Sequence, residues 1–308
     1  MTPKPHAGGY DVLIVGAGPA GLSAALVLGR MRRRTLVLDT DAPAHAVARH
    51  VHGFLAQDGT PPRDLRRAGR EQLRPYPAVE LRLAAARAAR LLEGGTFQLT
   101  LDDGSSVDGR RLLLAHGMRY GAPELEGVAE LWGTQVFHCP YCHGWEVRDR
   151  RLAVFGCGSR AAHQALLLTS LSDDVVLFCG SPPELDADDA TSLQAAGVEV
   201  RTDRVERLAE RDGALELVLD GHAPVARDAL FIQPELTLAS DLATGLGAAL
   251  TETGTVAVDA TGLSGVPGLY VAGDAATPVQ SVAVASGSGA RAAYAINASL
   301  VQPRHANG

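Results

Sequence analysis

The apolar run Val12–Val15 ends in Gly16-Ala17-Gly18-Pro19-Ala20-Gly21. Leu22–Leu28 then continues at helical spacing, and a second apolar run follows at Thr35–Asp39. Strand, glycine turn, helix, strand is one βαβ unit, which commits this part of the chain to a parallel sheet covered by helices. Gly16 permits the tight turn, Gly18 lets the backbone approach a pyrophosphate, and Gly21 lets helix pack on strand. The helix start, with Pro19 and Ala20 between the glycines, offers free N–H groups and a positive dipole end to phosphates. Asp39, eighteen residues after Gly21, is placed to accept from a ribose hydroxyl. This is a nucleotide-binding fingerprint, but it does not separate FAD from NAD.

A second unit of the same kind follows. Leu152–Phe155 reads as a strand, Gly156-Cys157-Gly158-Ser159-Arg160-Ala161 as a glycine turn, Ala162–Leu171 as a helix and Val175–Phe178 as a strand. A chain of 308 residues exceeds one ordinary core, so two domains are expected. Residues 40–75 lack strand patterning and predict a loop and then a helix near Arg63–Leu73. Val79–Leu83, Phe97–Leu101 and Arg111–Ala115 predict further strands, with Asp102-Asp103-Gly104 as a hairpin turn. Val198–Thr202, Leu215–Leu219 and Ala229–Ile232 complete the second unit, and Leu269–Ala272 precedes a last helix from about Gln280 to Leu300. The fold class is α/β, with two Rossmann-like dinucleotide-binding domains, the second inserted in the first.

The hydrophobic fraction of 46% and charged fraction of 20% describe a globular chain. A net charge of −7 leaves no footprint for nucleic acid, and an anionic membrane surface would repel it. The run Arg30, Arg32, Arg33, Arg34 reads as a solvated helix end. Residues 10–29 are apolar enough for a signal segment, but Asp11 opens the stretch and three glycines punctuate it. A buried strand and helix fit better, and the location expected is the cytoplasm. Structural disulfides are rare there, and a close cysteine pair is more often catalytic or metal-binding.

Such a pair is Cys139-Pro140-Tyr141-Cys142. Two intervening residues let a disulfide form and open with little backbone movement. A zinc site would need two more ligands, and Cys157 and Cys179 form no second Cys-x-x-Cys, so no metal is expected. Cys-x-x-Cys-His also matches a haem attachment motif, which requires export. A buried inert pair conflicts with the polar neighbours His138 and His143. His143 could take a proton from a thiol or stabilise a thiolate.

Tyr270-Val271-Ala272-Gly273-Asp274, together with the cysteine pair just before the second glycine unit, resembles the thioredoxin reductase family of two-dinucleotide flavoproteins. The resemblance covers nearly the whole chain. It implies FAD as cofactor, with Gly273 and Asp274 at the ribityl–pyrophosphate part and the stretch Pro278-Val279-Gln280-Ser281 aimed at the flavin pyrimidine edge. Ala115-His116-Gly117 sits where the family usually has Ala-Thr-Gly. The FAD-binding domain would comprise residues 1–120 and 238–308, and the inserted NAD(P)-binding-like domain 121–237, with hinges near 118–124 and 234–240. Cys142 would face the flavin, Cys139 would attack the substrate, and the assembly would be a homodimer.

The second unit departs from that pattern. Val175–Phe178 runs into Cys179-Gly180-Ser181-Pro182-Pro183, with no arginine cluster for NADPH and no acid for NADH. Ser159-Arg160 stands where the family has Asp-Ser, and Arg160 is either a phosphate contact or solvated. The marks of a NAD(P)H site are missing. This departure, with Cys142-His143-Gly144-Trp145-Glu146, is similar to the FAD-dependent dithiol oxidases that close the disulfides of gliotoxin and holomycin.

The expected function is therefore oxidation of a small-molecule dithiol to a disulfide, with O2 as acceptor and H2O2 as product. The alternatives are an NAD(P)H-dependent reductase of a thioredoxin-like protein and a non-catalytic redox-sensing flavoprotein. His45, His50 and His52 cluster after Asp39, and His50 and His52 are candidate auxiliaries in deprotonating a dithiol, or surface histidines. Trp132 and Trp145 read as packing residues, and Cys157 and Cys179 as small buried hydrophobes.

Overall fold

The computed structural model describes residues 9–43, 48–180 and 184–301; His45 lies outside them. The chain divides into two compact units, one built from both ends of the described chain and one from residues 120–235 with the short segment before Gly53.

The N-terminal part of the first unit comprises β1 (Tyr10–Val15), α1 (Pro19–Arg30), β2 (Thr35–Asp39), α2 (Pro62–Leu73), β3 (Val79–Leu83), β4 (Ala86–Leu92), β5 (Thr96–Leu101) and β6 (Ser106–Leu114). These strands lie in the order β3-β2-β1-β6-β5-β4. β1 and β2 pair in parallel, as do β1 and β6, and their centres are sealed on both faces. Two-sided burial explains why Val12–Val15 and Thr35–Asp39 are continuous apolar runs rather than alternating ones. β4 is an antiparallel edge strand that the sequence reading missed, because Ala-Arg-Ala-Ala-Arg-Leu-Leu has the composition of a helix. The turn at Asp102-Asp103-Gly104 joins β5 to β6, with Asp103 accepting from the Ser105 N–H at 2.8 Å.

The central part runs through β7 (Met118–Gly121), α3 (Val128–Leu131), β8 (Val136–Phe137), α4 (Pro140–His143), β9 (Leu152–Phe155), α5 (Ser159–Leu168), β10 (Val175–Phe178), α6 (Ala187–Ala195) and β11 (Glu199–Arg201). It continues with β12 (Val205–Arg211), β13 (Ala214–Leu219), β14 (His222–Arg227), β15 (Ala229–Ile232) and β16 (Glu235–Leu238). A five-stranded sheet in the order β11-β10-β9-β15-β8 carries the cysteine motif and the second glycine turn, beside a three-stranded meander of β12, β13 and β14. The helix after the second turn begins at Ser159 rather than Ala162. Asp186 caps α6, accepting from the Asp189 N–H at 2.7 Å.

The C-terminal part supplies α7 (Leu242–Gly245), β17 (Leu269–Val271) and α8 (Val282–Val301). β17 pairs with β6 and completes the first sheet. α8 begins just after Gln280, and Ser281 caps it by accepting from the Val284 N–H at 3.1 Å. α8 packs against α1 through small residues. A Cβ at Gly289 would lie 2.0 Å from the Ala20 carbonyl oxygen, so nothing larger than glycine lets the two backbones approach this closely. The arginine run at the end of α1 is only partly a solvated helix end. Arg30 and Arg32 are exposed, whereas Arg33 donates to Asn297 of α8 at 2.7 Å.

Candidate active site

In the first unit the glycine turn is an open cradle at the end of β1. Gly16 adopts φ +104°, and a Cβ there would meet the Ala115 carbonyl oxygen at 2.4 Å. A Cβ on Gly21 would meet the Gly16 carbonyl oxygen at 1.9 Å, so both positions demand glycine. Gly18 has open space around its missing side chain and serves as an extended N-cap of α1 with no side-chain cap. The helix therefore presents its first-turn N–H groups forward, with Pro19 pre-set for the first turn.

Gly273 and Asp274 follow β17 in a short 3-10 turn, and a Cβ on Gly273 would lie 3.1 Å from the Ala20 Cβ. The structure thus brings Gly16, Gly18, Pro19, Ala20, Gly21 and Gly273 together. Burial pushes the Asp274 carboxyl up to about 6, and it has no hydrogen-bond partner among the described residues. A partly buried acceptor beside a glycine cradle and an uncapped helix start fits the hydroxyls and phosphates of a flavin dinucleotide.

Asp39 ends β2 under a tenth exposed, and its Oδ1 lies 3.4 Å from the Ala17 N–H. Arg66 donates to its Oδ2 at 2.9 Å, and Arg70 donates to the same oxygen. The sequence reading missed this clamp. Both arginines lie on α2, across a loop that separates them from β2.

In the second unit Cys139 and Cys142 form a disulfide with Cα atoms 5.3 Å apart. Cys139 caps α4, and its carbonyl accepts from the N–H groups of Cys142 and His143, both at 3.2 Å. Pro140 at the first helical position pre-sets φ. Gly144 is required next, since a Cβ there would lie 2.4 Å from Leu171 Cδ1 and 2.5 Å from the Pro140 carbonyl oxygen. Gln164 of α5 fixes the approach to the motif by donating to the His138 carbonyl at 2.7 Å.

His143 stacks on Phe137, ring centroids 4.7 Å apart and planes within 17°. Neither ring nitrogen has a hydrogen-bond partner among the described residues. Burial, assisted by His138 and opposed by Glu146, pushes the ring down to about 4, so it is neutral at pH 7. His138 lies between Tyr120, at 4.9 Å, and Trp132, at 5.9 Å, and burial pushes it down to about 4 as well.

His52 Nε2 lies 3.4 Å from Glu146 Oε1, which places the candidate auxiliary beside the acid that follows the motif. His50 is exposed, with its ring 6.0 Å from that of His52. Trp132 packs on His138, but the packing role expected for Trp145 does not hold. That ring is 65% exposed and carries the Arg148 guanidinium 3.9 Å above it.

The second glycine turn corrects another expectation. Cys157 and Cys179 are not two small buried hydrophobes; they form a disulfide, with Cα atoms 4.6 Å apart, and neither is fully buried. Their separation of 22 residues shows no pair in the sequence. They meet because β9 and β10 are adjacent and parallel and end level with each other. Arg160 donates to Gln233 at 3.0 Å, and Arg201 of β11 donates to Asp203 at 2.8 Å. Among the described residues no cluster of three or more His, Cys, Asp or Glu side chains could hold a metal. No described helix is long and apolar enough to cross a membrane.

Residues 10–289 match the model of the pyridine nucleotide-disulphide oxidoreductase family. The thioredoxin reductase tcpT of Claviceps purpurea is 31% identical over 291 residues, covering 91% of this chain and 90% of that protein. The thioredoxin reductase sirT of Leptosphaeria maculans is 29% identical, covering 94% and 93%. The crystal structure of HlmI superposes with a TM-score of 0.91 at 39% identity, covering 96% of this chain and 94% of HlmI. With its two Rossmann-like units and its Cys-x-x-Cys disulfide, the chain belongs to the pyridine nucleotide-disulphide oxidoreductase family, as a thioredoxin reductase-like flavoprotein enzyme.

Proposed function

We propose that this protein oxidises a small-molecule dithiol to its disulfide through Cys139–Cys142 and FAD, with O2 as the final acceptor. The observation that carries this reading is a Cys139–Cys142 disulfide directly followed by His143, a neutral imidazole whose two nitrogens have no partner among the described residues. A substrate thiolate attacks Cys139 Sγ, the S–S bond breaks, and Cys142 leaves as the thiolate. The second substrate thiol then attacks the sulfur joined to Cys139, releasing the cyclic or linear disulfide and a Cys139 thiol. His143 relays protons in these exchanges; at a value of about 4 it holds a proton only in passing. Glu146 and His52 flank the motif as a second acid–base pair.

Gly16, Gly18, Gly21, Gly273 and Asp274 would hold FAD, which would supply the two-electron acceptor for the reduced pair and the link to O2, with H2O2 as the proposed product. Gln280, just before the start of α8, is assigned to the flavin edge. The assembly proposed is a homodimer, which sedimentation would check.

The second unit favours dithiol over nicotinamide as the electron source. Its second strand is followed at once by a bonded cysteine, and Arg160 and Arg201 are engaged with Gln233 and Asp203. A retained glycine turn and an uncapped helix start favour the alternative, a NAD(P)H-dependent reductase of a thioredoxin-like protein. Anaerobic mixing of the flavin-loaded protein with a small dithiol, NADPH or NADH separates the two. Bleaching by the dithiol, with recovery and peroxide on admitting air, supports the oxidase; rapid bleaching by NADPH or NADH overturns it.

A further inference from the structure

Cys157 sits inside the second glycine turn, directly before Gly158, the N-cap of the ten-residue helix α5. That cap has no side-chain acceptor, so the helix start one residue beyond the sulfur is uncompensated and favours negative charge nearby. The backbone N–H of Glu184 also points at this atom, donating to Cys157 Sγ at 3.0 Å. Its partner Cys179 follows the buried strand β10 and packs against the apolar core beneath it. The two sulfurs are therefore unequal. One has an N–H donor and a helix start to stabilise negative charge; the other has a hydrocarbon floor. Both are partly exposed, unlike the sealed residues Leu152, Ala153 and Val154 of β9 and Val175–Phe178 of β10.

We propose that Cys157–Cys179 is a second thiol–disulfide exchange site that takes small thiols and dithiols, with Cys157 as its leaving sulfur. An external thiolate attacks Cys179 Sγ, forming a mixed disulfide there, and the bond to Cys157 breaks. The electron pair leaves with Cys157 as a thiolate facing the Glu184 N–H. A second thiol then displaces the mixed disulfide, so two external thiols become one disulfide and the protein gains two electrons and two protons. The sulfur whose negative charge meets the Glu184 N–H is the better leaving group, which sets this direction of attack. The inference is independent of the role given to Cys139–Cys142.

The test uses the full flavin-loaded chain carrying Cys139→Ser and Cys142→Ser, so that only the second pair can respond. The folded protein is incubated with millimolar glutathione or dithiothreitol, quenched, alkylated and mapped by peptide mass spectrometry. Expected are a Cys157–Cys179 linked peptide before thiol is added and a glutathione adduct on Cys179 during reduction. At neutral pH, alkylation of the reduced pair should be about tenfold faster at Cys157 than at Cys179. Glu184→Pro, which removes the N–H donor, should slow alkylation of Cys157 severalfold while flavin content reports an intact fold. No linked peptide, a link that opens only after unfolding, or equal alkylation of the two cysteines would each overturn the proposal.

Discussion

The two glycine turns, at Gly16–Gly21 and at Gly156–Ala161, share one backbone plan and differ in what their neighbouring strand ends carry. In the first unit β2 ends in Asp39, a buried carboxylate held by Arg66 and Arg70. In the second, β10 runs into Cys179, bonded back to Cys157 of the turn itself. The first crevice keeps its helix start and Gly18 open; a covalent link joins the two sides of the second. The βαβ scaffold therefore fixes where a ligand could lie, and the residue ending the second strand decides what can occupy that place.

The comparison is sharpest in turnover. Cys142→Ser should abolish dithiol oxidation, by more than about 10³-fold, while the purified protein stays yellow. Steady-state peroxide release beside the flavin spectrum checks both halves, and retained turnover would end the assignment.

The next largest effect concerns the turns themselves. Gly21→Ala places a Cβ on the Gly16 carbonyl oxygen and should strip the protein of flavin. Gly158→Ala meets nothing closer than the Glu184 carbonyl oxygen at 3.9 Å and should leave flavin content unchanged, at a strain cost of about 1–3 kcal/mol from its φ of +76°. Absorbance ratios of the two variants decide it, and equal flavin loss would erase the distinction between the turns.

Asp39→Ala leaves the buried Arg66 with only the exposed carboxylate of Asp41, 2.8 Å away, and the first unit should lose about 1–3 kcal/mol, read as a lower urea midpoint.

Burial also drives the pH responses of the two units in opposite directions. His138 and His143 are pushed down to about 4 from 6.5, so between those values the unfolded chain binds more protons than the folded one. The second unit therefore loses stability as pH falls through that window, by about 3 kcal/mol per histidine. Asp274 is pushed up from 3.8 to about 6, so there the folded state holds the extra proton. Its contribution to the first unit is present at low pH and lost as pH rises towards 6. His116, pushed down by burial, works against it. Amide exchange between pH 4 and 6.5 should show reduced protection around β8 and α4 at the acid end, with His143→Phe flattening the slope. In the flavin-free protein, Asp274→Asn should flatten the opposite slope.

What the sequence shows and hides follows from burial. Leu152–Phe155, Val175–Phe178 and Ala229–Ile232 are legible because strands sealed on both faces are unbroken apolar runs. Helix α2 is legible from its proline start. β4, β12 and β14 are not, because their arginine-, alanine- and glutamate-rich segments become strands only by pairing with β5 and β13. The cysteine motif declares itself through local spacing. Cys157–Cys179, Asp39–Arg66 and His52–Glu146 are contacts across 22, 27 and 94 residues, and no local pattern encodes them.

The seat of Ala20 under Gly289, and of Gly273 beside it, has a consequence for synthesis. The cradle that begins at Gly16 stays unfinished until α8 has left the ribosome, whereas the inserted unit, closed by β15, has all its strands before then. A nascent chain therefore carries the Cys139–Cys142 motif in a completed fold while the proposed cofactor seat is still half built. Flavin loading should therefore follow the synthesis of α8, and chains truncated before it should emerge colourless.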